Sequence, residues 1–427
     1  MTLAVNALAV QTQESLLFFT LLQLSIIVLA GRLGGWAAER LRQSAAVGEI
    51  VIGILLGPSL FGWIAPGTFD YVFRSAPSAP LQILSSLGLV LLMFQIGLEF
   101  EFRHLREPTN RTTVLSVAMS CQLAPFVLGL LFGYEAAPWL APAANRLHCA
   151  LFIATAFSIT ALPTLGRMMI ELGITRCALA VVAISAAAIN DVIGWLLLAL
   201  ITAITAGEFH GGGYGLRVAL VAAYALLCLV VIRPVVKRLV RRSNPQQGAL
   251  PGNLIGGLLV LVFVSAIATY QLGIFAIFGG FMMGVILFDE PELVMAWRAS
   301  IGQFVNVFFL PIFFTYTGLR TSIGSLRTLQ EWEWCGLLLA LATLGKLGGA
   351  YLAARLAGRT HPEAAALGYM MNTRALMELV VVNLGFDLGV ISPQMFTMLV
   401  IMAILSTLVT VPALRHYLPR AGIVLRA

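Results

Sequence analysis

Stretches of about 20 apolar residues, the length an α-helix needs to cross the hydrocarbon of a bilayer, recur along almost the whole chain. They fall at 15 to 38, 46 to 64, 81 to 99, 112 to 134, 148 to 172, 176 to 205, 215 to 241, 252 to 271, 273 to 288, 300 to 320, 333 to 357, 362 to 387 and 393 to 417. Short polar or glycine- and proline-rich connectors separate them. Of 427 residues 59% are hydrophobic and only 11% charged, which excludes a water-soluble core of this size. The expectation is an all-α membrane protein of about thirteen transmembrane helices, its main partner the lipid bilayer. No basic segment with a small-residue cleavage site precedes the first stretch, so the first helix is expected to stay in place.

The net charge of +7 does not indicate nucleic acid, because the basic residues stand singly between apolar stretches and form no patch. With the N-terminus outside, nineteen of the twenty-six Lys and Arg residues fall on the cytoplasmic side. Only Arg74, Arg146, Arg217, Arg320 and Arg327 face out, the asymmetry that short loops show. The C-terminus is then cytoplasmic. Lys346 and Arg374 remain, each near the middle of an apolar stretch.

The two halves of the chain echo one another. Gly53-Ile-Leu-Leu-Gly57 answers Gly280-Phe-Met-Met-Gly284, and Leu92-Met-Phe-Gln-Ile-Gly-Leu98 answers Ile312-Phe-Phe-Thr-Tyr-Thr-Gly-Leu319, with glycine offsets of 227 and 221. The interruption Ser158-Ile-Thr-Ala-Leu-Pro163 is matched 214 residues later by Asn372-Thr-Arg374. A single transporter domain over 1–427 is expected: a first six-helix repeat at 15–205, a linker helix and loop at 206–251, and a second repeat at 252–418. Equivalent helices stand an odd number of spans apart, so the second repeat enters the membrane inverted.

In hydrocarbon every backbone N–H and C=O needs a partner, so a Ser-x-Thr-x-x-Pro interruption is tolerable only against protein or a water-filled cavity. Ser158, Thr160 and Pro163 predict a discontinuous helix, and Asn372, Thr373 and Arg374 a second one crossing it. Half-helix ends at such a crossing carry partial charges that stabilise ions of either sign. The next stretch carries Asn190 and Asp191 in Ala188-Ile-Asn190-Asp191-Val-Ile-Gly-Trp195. A carboxylate buried there must pair, take up a proton or bind a cation. One that alternates between proton and cation is the minimal chemistry of exchange, with Asn190, Ser158 and Thr160 beside it. Lys346, within Leu344-Gly-Lys-Leu-Gly-Gly349, is the candidate counter-charge to Asp191 when no ion is bound. Arg374 and Glu378 are one helical turn apart and form either a mutually neutralising pair or part of the ion-handling machinery.

These strings together resemble the monovalent cation/proton antiporters of the second cation/proton antiporter branch, which includes bacterial sodium/proton exchangers, potassium-efflux transporters and plant cation/proton exchangers. The resemblance rests on Gly48-Glu-Ile-Val-Ile-Gly-Ile-Leu-Leu-Gly-Pro58, Ser158 to Pro163, Asn190-Asp191, Pro311-Ile-Phe-Phe-Thr-Tyr-Thr-Gly-Leu319 and Met371-Asn-Thr-Arg-Ala-Leu-Met-Glu-Leu379. It implies a thirteen-helix exchanger of a bacterial inner membrane, a homodimer with a dimerisation part and a mobile ion-carrying core. It implies ion and proton binding at Asp191, with Asn190, Ser158 and Thr160 lining the site and Lys346 at the charged position of the second repeat. An Asn-Asp pair in place of Asp-Asp is associated there with electroneutral exchange. Ala375 departs from the glycine usual at that position, and control through a nucleotide-binding domain like that of the potassium-efflux relatives is not expected within this chain.

The expected function is antiport of Na⁺ or K⁺ against H⁺, and the alternative is a sodium-coupled organic solute symporter of related inverted-repeat fold. An enzyme is not expected. His104, His148, His210, His361 and His416 lack metal-ligand spacing, Cys121, Cys149, Cys177, Cys228 and Cys335 include no CxxC pair, and no glycine-rich nucleotide motif is present. No cofactor, nucleotide or metal beyond the transported ion is expected.

Overall fold

The computed structural model describes residues 2–41, 43–98, 111–174, 177–205, 213–242, 250–272, 276–374 and 376–424. Ala375, His104 and His210 lie outside these residues, and Pro163 is described by its backbone alone. All regular structure among the described residues is helical. The principal helices are α1 (Thr2–Arg40), α2 (Ala45–Leu55), α3 (Ala79–Leu98), α4 (Arg111–Leu140), α5 (Arg146–Ser158), α6 (Leu162–Leu172), α7 (Ala178–Thr205), α8 (Gly213–Leu227) and α9 (Arg233–Arg242). They continue with α10 (Gly252–Gln271), α11 (Ala276–Val285), α12 (Leu310–Arg320), α13 (Leu329–Thr343), α14 (Gly349–Leu356), α15 (His361–Met371), α16 (Leu376–Asp387) and α17 (Pro393–Arg420).

Among the described residues eight helices are long and apolar enough to span a membrane, or up to nine when the bent pair Pro291–Gly302 and Val305–Ser325 is one span. The stretches 148–172 and 362–387 divide into α5 and α6 and into α15 and α16, at the interruptions the sequence predicts, whereas among its described residues 273–288 carries only the ten-residue α11 as a helix.

The chain forms two compact units. The first comprises Met1–Ala37, Gly48–Glu99 and Val218–Ser322. Its helices meet backbone to backbone. A Cβ on Gly57 would stand 2.1 Å from Gly318 O, and one on Gly318 would stand 2.3 Å from Gly53 O. On the other helix pair, a Cβ on Gly284 would stand 2.2 Å from Phe94 O, and one on Gly97 would stand 2.4 Å from Phe281 O. Such closeness suits a membrane interior, where apolar side chains gain little from leaving lipid and association relies on close van der Waals contact. Ion pairs of this unit include a group at one helix end, Arg233 and Lys237 on Asp289 and Arg241 on Glu290 at 2.9 Å, and a separate pair, Arg74 on Asp70 at 3.0 Å.

The second unit comprises Ala38–Val47, Phe100–Arg217 and Ile323–Ala427. Here α4 packs along α5 and against α7, and α15 packs on α7 and α17. Between α13 and α14 the chain widens into a π-helical segment, Leu344–Gly348, that packs on α4 and α15. Segments of this kind concentrate at functional sites. This one contains Lys346.

Candidate functional site

Each interrupted helix is built by local sequence. Asn145 caps the start of α5, its side-chain oxygen accepting from Leu147 N–H at 3.0 Å and His148 N–H at 3.2 Å. At the other end the Ser158 hydroxyl bends back to donate to Thr155 O at 2.9 Å, and Ile159 turns extended. Pro163 falls in the first turn of α6, where a missing N–H costs nothing. Helix α15 starts with a capping box between Thr360 and Glu363 and ends at Met371, with Asn372 as its C-terminal cap.

The two interruptions touch. Ala161 N–H donates to Thr373 O at 3.0 Å, a backbone hydrogen bond from one broken helix to the other. The carbonyls that α5 leaves without helical partners go to two buried cations. Arg374 donates to Ala156 O at 3.1 Å and Phe157 O at 3.0 Å, and Lys346 Nζ donates to Ser158 O. Both side chains are 0% exposed. They sit at the negative end of the α5 dipole, where positive charge is favoured. Arg374 also donates to Ala342 O at 3.1 Å and to Glu378 Oε2 at 3.2 Å, so its guanidinium ties α5, α13 and α16 together. The Arg374–Glu378 pair is thus a real ion pair and a structural bracket at once.

Asn190 and Asp191 stand midway along α7, 0% and 1% exposed. Among the described residues neither carboxylate oxygen of Asp191 and neither polar atom of the Asn190 amide has a hydrogen-bond partner. The Thr160 hydroxyl, Asn372 Oδ1 and Glu378 Oε1 are buried and unpartnered in the same unit. Buried polar groups are overwhelmingly hydrogen-bonded, so these exceptions are the atoms of this unit open to water or an ion. Lys346 is the cation whose field reaches Asp191, although its hydrogen bond goes to Ser158 O. Among the described residues the buried charged side chains of this unit are Asp191, Glu378, Lys346 and Arg374: two acids and two bases.

Two polar residues here were not singled out from the sequence. Gln122 on α4 is 3% exposed and donates through Nε2 to Ser158 Oγ at 3.0 Å. Ser185 lies on α7, within two turns of Asp191, its hydroxyl buried and unpartnered. Gln122 had a visible signal in Ser120-Cys-Gln-Leu-Ala-Pro125, a polar run just before a mid-span proline. All five cysteines are free, and among the described residues no three His, Cys, Asp or Glu side chains gather as a metal site.

Comparison with known proteins gives the same direction. The Na(+)/H(+) antiporter NhaS4 of Synechocystis sp. is 36% identical over 392 residues, covering 91% of this chain and 95% of that protein. Cation/H(+) antiporter 17 of Arabidopsis thaliana is 34% identical over 400 residues, and there the match covers 93% of this chain but only 48% of the plant protein. Among solved structures, the sodium proton antiporter MjNhaP1 from Methanocaldococcus jannaschii superposes with a TM-score of 0.61 at 14% identity, covering 92% of this chain and 98% of that one, a likeness of fold. The model of the family described as "Sodium/hydrogen exchanger, transmembrane" matches residues 25–419. The chain belongs to the transmembrane sodium/hydrogen exchanger family.

Proposed function

We propose that this chain is a monovalent cation/proton antiporter in which Asp191 binds a proton or a cation in turn. The observation that carries the reading is the buried, unpartnered Asp191 carboxylate, next in sequence to an unpartnered Asn190 amide, with the Thr160 hydroxyl of the first interruption likewise buried and unpartnered. An acid so placed is stable only when neutralised, and a proton and a metal ion do this equally well. Competition for one carboxylate couples the two fluxes.

The charge balance favours one-for-one exchange. With Lys346 and Arg374 positive and Glu378 negative, the buried cluster carries +1 when Asp191 is protonated and +1 when a monovalent cation sits on the carboxylate. The two loaded forms are electrically alike, and the empty form differs by one charge. Lys346, released from Ser158 O, is the group that covers Asp191 in that empty state. Asn190, Ser158 and Thr160 supply neutral oxygens, while Pro163, Asn372 and Thr373 hold the helix ends around them. Arg374 and Glu378 serve as the frame.

Relatives are named for Na⁺ and for K⁺, and either ion fits the residues. The protein is a transporter and not an enzyme, and family membership disfavours the sodium-coupled organic solute symporter. The fuller architecture we propose is thirteen spans in two inverted repeats, with the N-terminus outside, in a bacterial inner membrane, working as a homodimer without cofactor or nucleotide. The glycine contacts support the repeat: the Gly53/Gly57 helix packs on Gly318, and its counterpart, the Gly280/Gly284 helix, packs on the region of Gly97.

The test is cation-driven dissipation of a pH gradient in proteoliposomes with Na⁺, K⁺ and Li⁺, for the wild type and Asp191→Ala. A responding wild type and a silent variant are expected. Exchange that persists without Asp191 would sink the mechanism.

A further inference from the structure

Gln122 is not among the residues assigned to exchange above, and the way its amide faces follows from the hydrogen bonding of Ser158. Amide oxygen and nitrogen are assigned from their surroundings. The Ser158 hydroxyl has one proton, and it is spent on Thr155 O at 2.9 Å. Toward Gln122, 3.0 Å away, Ser158 Oγ can therefore only accept, so the Gln122 nitrogen must face it. That leaves Gln122 Oε1 buried and without a partner among the described residues.

The position of this oxygen is informative. Helix α4 packs on both α5, which ends at Ser158, and α7, which carries Asp191. The same turn meets the π-helical segment, Cys121 Sγ lying 3.7 Å from Lys346 O. Gln122 is 3% exposed, so its amide oxygen is withdrawn from water and is destabilising unless something binds it.

We propose that Gln122 is a cation ligand of the Asp191 site, its carbonyl oxygen a neutral ligand that sets the preference between Na⁺ and K⁺. The inference rests on the exchange reading. Ion choice among alkali cations depends on the number and field strength of coordinating oxygens. The carboxylate is a strong-field ligand for any of them, whereas a neutral amide oxygen adds coordination without adding charge. Removing it therefore changes the affinities unequally and leaves the proton-accepting group in place.

The experiment compares wild type, Gln122→Met, Gln122→Glu and Asp191→Ala in proteoliposomes, reading the half-saturating Na⁺ and K⁺ concentrations and the maximal rate. Cation-dependent melting of the purified proteins gives a second readout that needs no turnover. For Gln122→Met, which keeps the shape and loses the oxygen, at least one half-saturating concentration is expected to rise fivefold or more, and the Na⁺/K⁺ ratio to move at least threefold. The maximal rate should stay within about twofold. Gln122→Glu, which restores an oxygen, should recover the affinity. An unchanged ratio, or an equal weakening of both ions that Glu does not repair, overturns the proposal and leaves Gln122 a packing residue. If Gln122→Met is not monodisperse, Gln122→Asn, which withdraws the oxygen by one methylene, decides on the same ratio. A wild type silent to both ions, or an active Asp191→Ala, overturns the exchange reading itself; a silent Asp191→Ala beside a wild-type ratio in Gln122→Met overturns only this inference.

Discussion

The two units solve the problem of living in hydrocarbon in opposite ways. The first buries no Lys or Arg among its described residues: glycines bring backbones to van der Waals distance, and its ion pairs include those around Asp289 and Glu290 and the exposed pair of Arg74 and Asp70. Parts of it are scarcely buried, with 11% of the apolar window of Ala219–Arg242 inside the fold, and Leu226 and Val230 each 62% exposed. Among its described residues the second unit buries two acids, two bases and two helix interruptions. The difference teaches that buried positive charge is not a general feature of the fold: among the described residues the first unit buries the carboxyl groups of Glu49 and Glu290 but no Lys or Arg. Both buried cations lie in the unit where the half-helix ends meet, held by carbonyls that the interruption itself sets free.

The comparison breaks most severely at Arg374. Arg374→Met should remove hydrogen bonds to Ala156, Phe157 and Ala342 and leave Glu378 buried without its partner, a loss of about 3–5 kcal/mol. Thermal melting of the purified protein should show a much lower midpoint or no monodisperse material; a midpoint within a degree or two of wild type would mean that the bracket is ornamental. Next is Lys346→Met, which strips the charged donor from Ser158 O at about 1.5–3 kcal/mol. With the competing ammonium gone, the half-saturating cation concentration should fall. A rise, read in the proteoliposome assay, counts against Lys346 as the cover for Asp191.

In the first unit Gly318→Ala should cost about 1–3 kcal/mol, because its Cβ would meet Gly53 O and Ile54 Cα, which are backbone and cannot yield cheaply. Melting should register this while the Na⁺/K⁺ ratio stays put, the reverse of the expectation for Gln122→Met. The smallest effect belongs to Asp289→Asn. Partial burial disfavours the ionised Asp289, but hydrogen bonds from Lys237 and Arg233 and their charges outweigh it and hold the carboxyl below its ordinary value of 3.8. A lowered folded value means stability present above the ordinary value and lost as pH falls through the lowered one. The side chain is 34% exposed, so the variant should lose well under 1 kcal/mol at neutral pH, and the difference should vanish in acid below the usual carboxylate range.

Much of this was legible in the sequence because a membrane interior makes charges conspicuous. Asp191, Lys346 and Arg374 stood out as charges inside apolar runs, and the Ser158 to Pro163 string announced an interruption that the chain makes at residues 159–161. The boundaries of 252–271 coincide with α10 for the same reason, an uninterrupted apolar run between glycine and glutamine. What stayed hidden are contacts made through groups every residue shares. The sequence pairs Lys346 with Asp191, since both are letters one can read, whereas Lys346 is found on the carbonyl of Ser158. Gln122 hid differently, as one amide in a long apolar helix whose importance depends on which acceptor the Ser158 hydroxyl points its proton at.

The hydrogen bond from Ala161 N–H to Thr373 O has a consequence for anyone surveying this protein by exhaustive substitution. It joins the two interruptions, yet neither of its atoms belongs to a side chain. Nineteen alternatives at position 373 would all retain the acceptor, and at position 161 only proline would delete the donor. A map of tolerated variants would therefore show this joint as blank. An ester in place of the amide at that one position, made by semisynthesis, is the perturbation that reports on it.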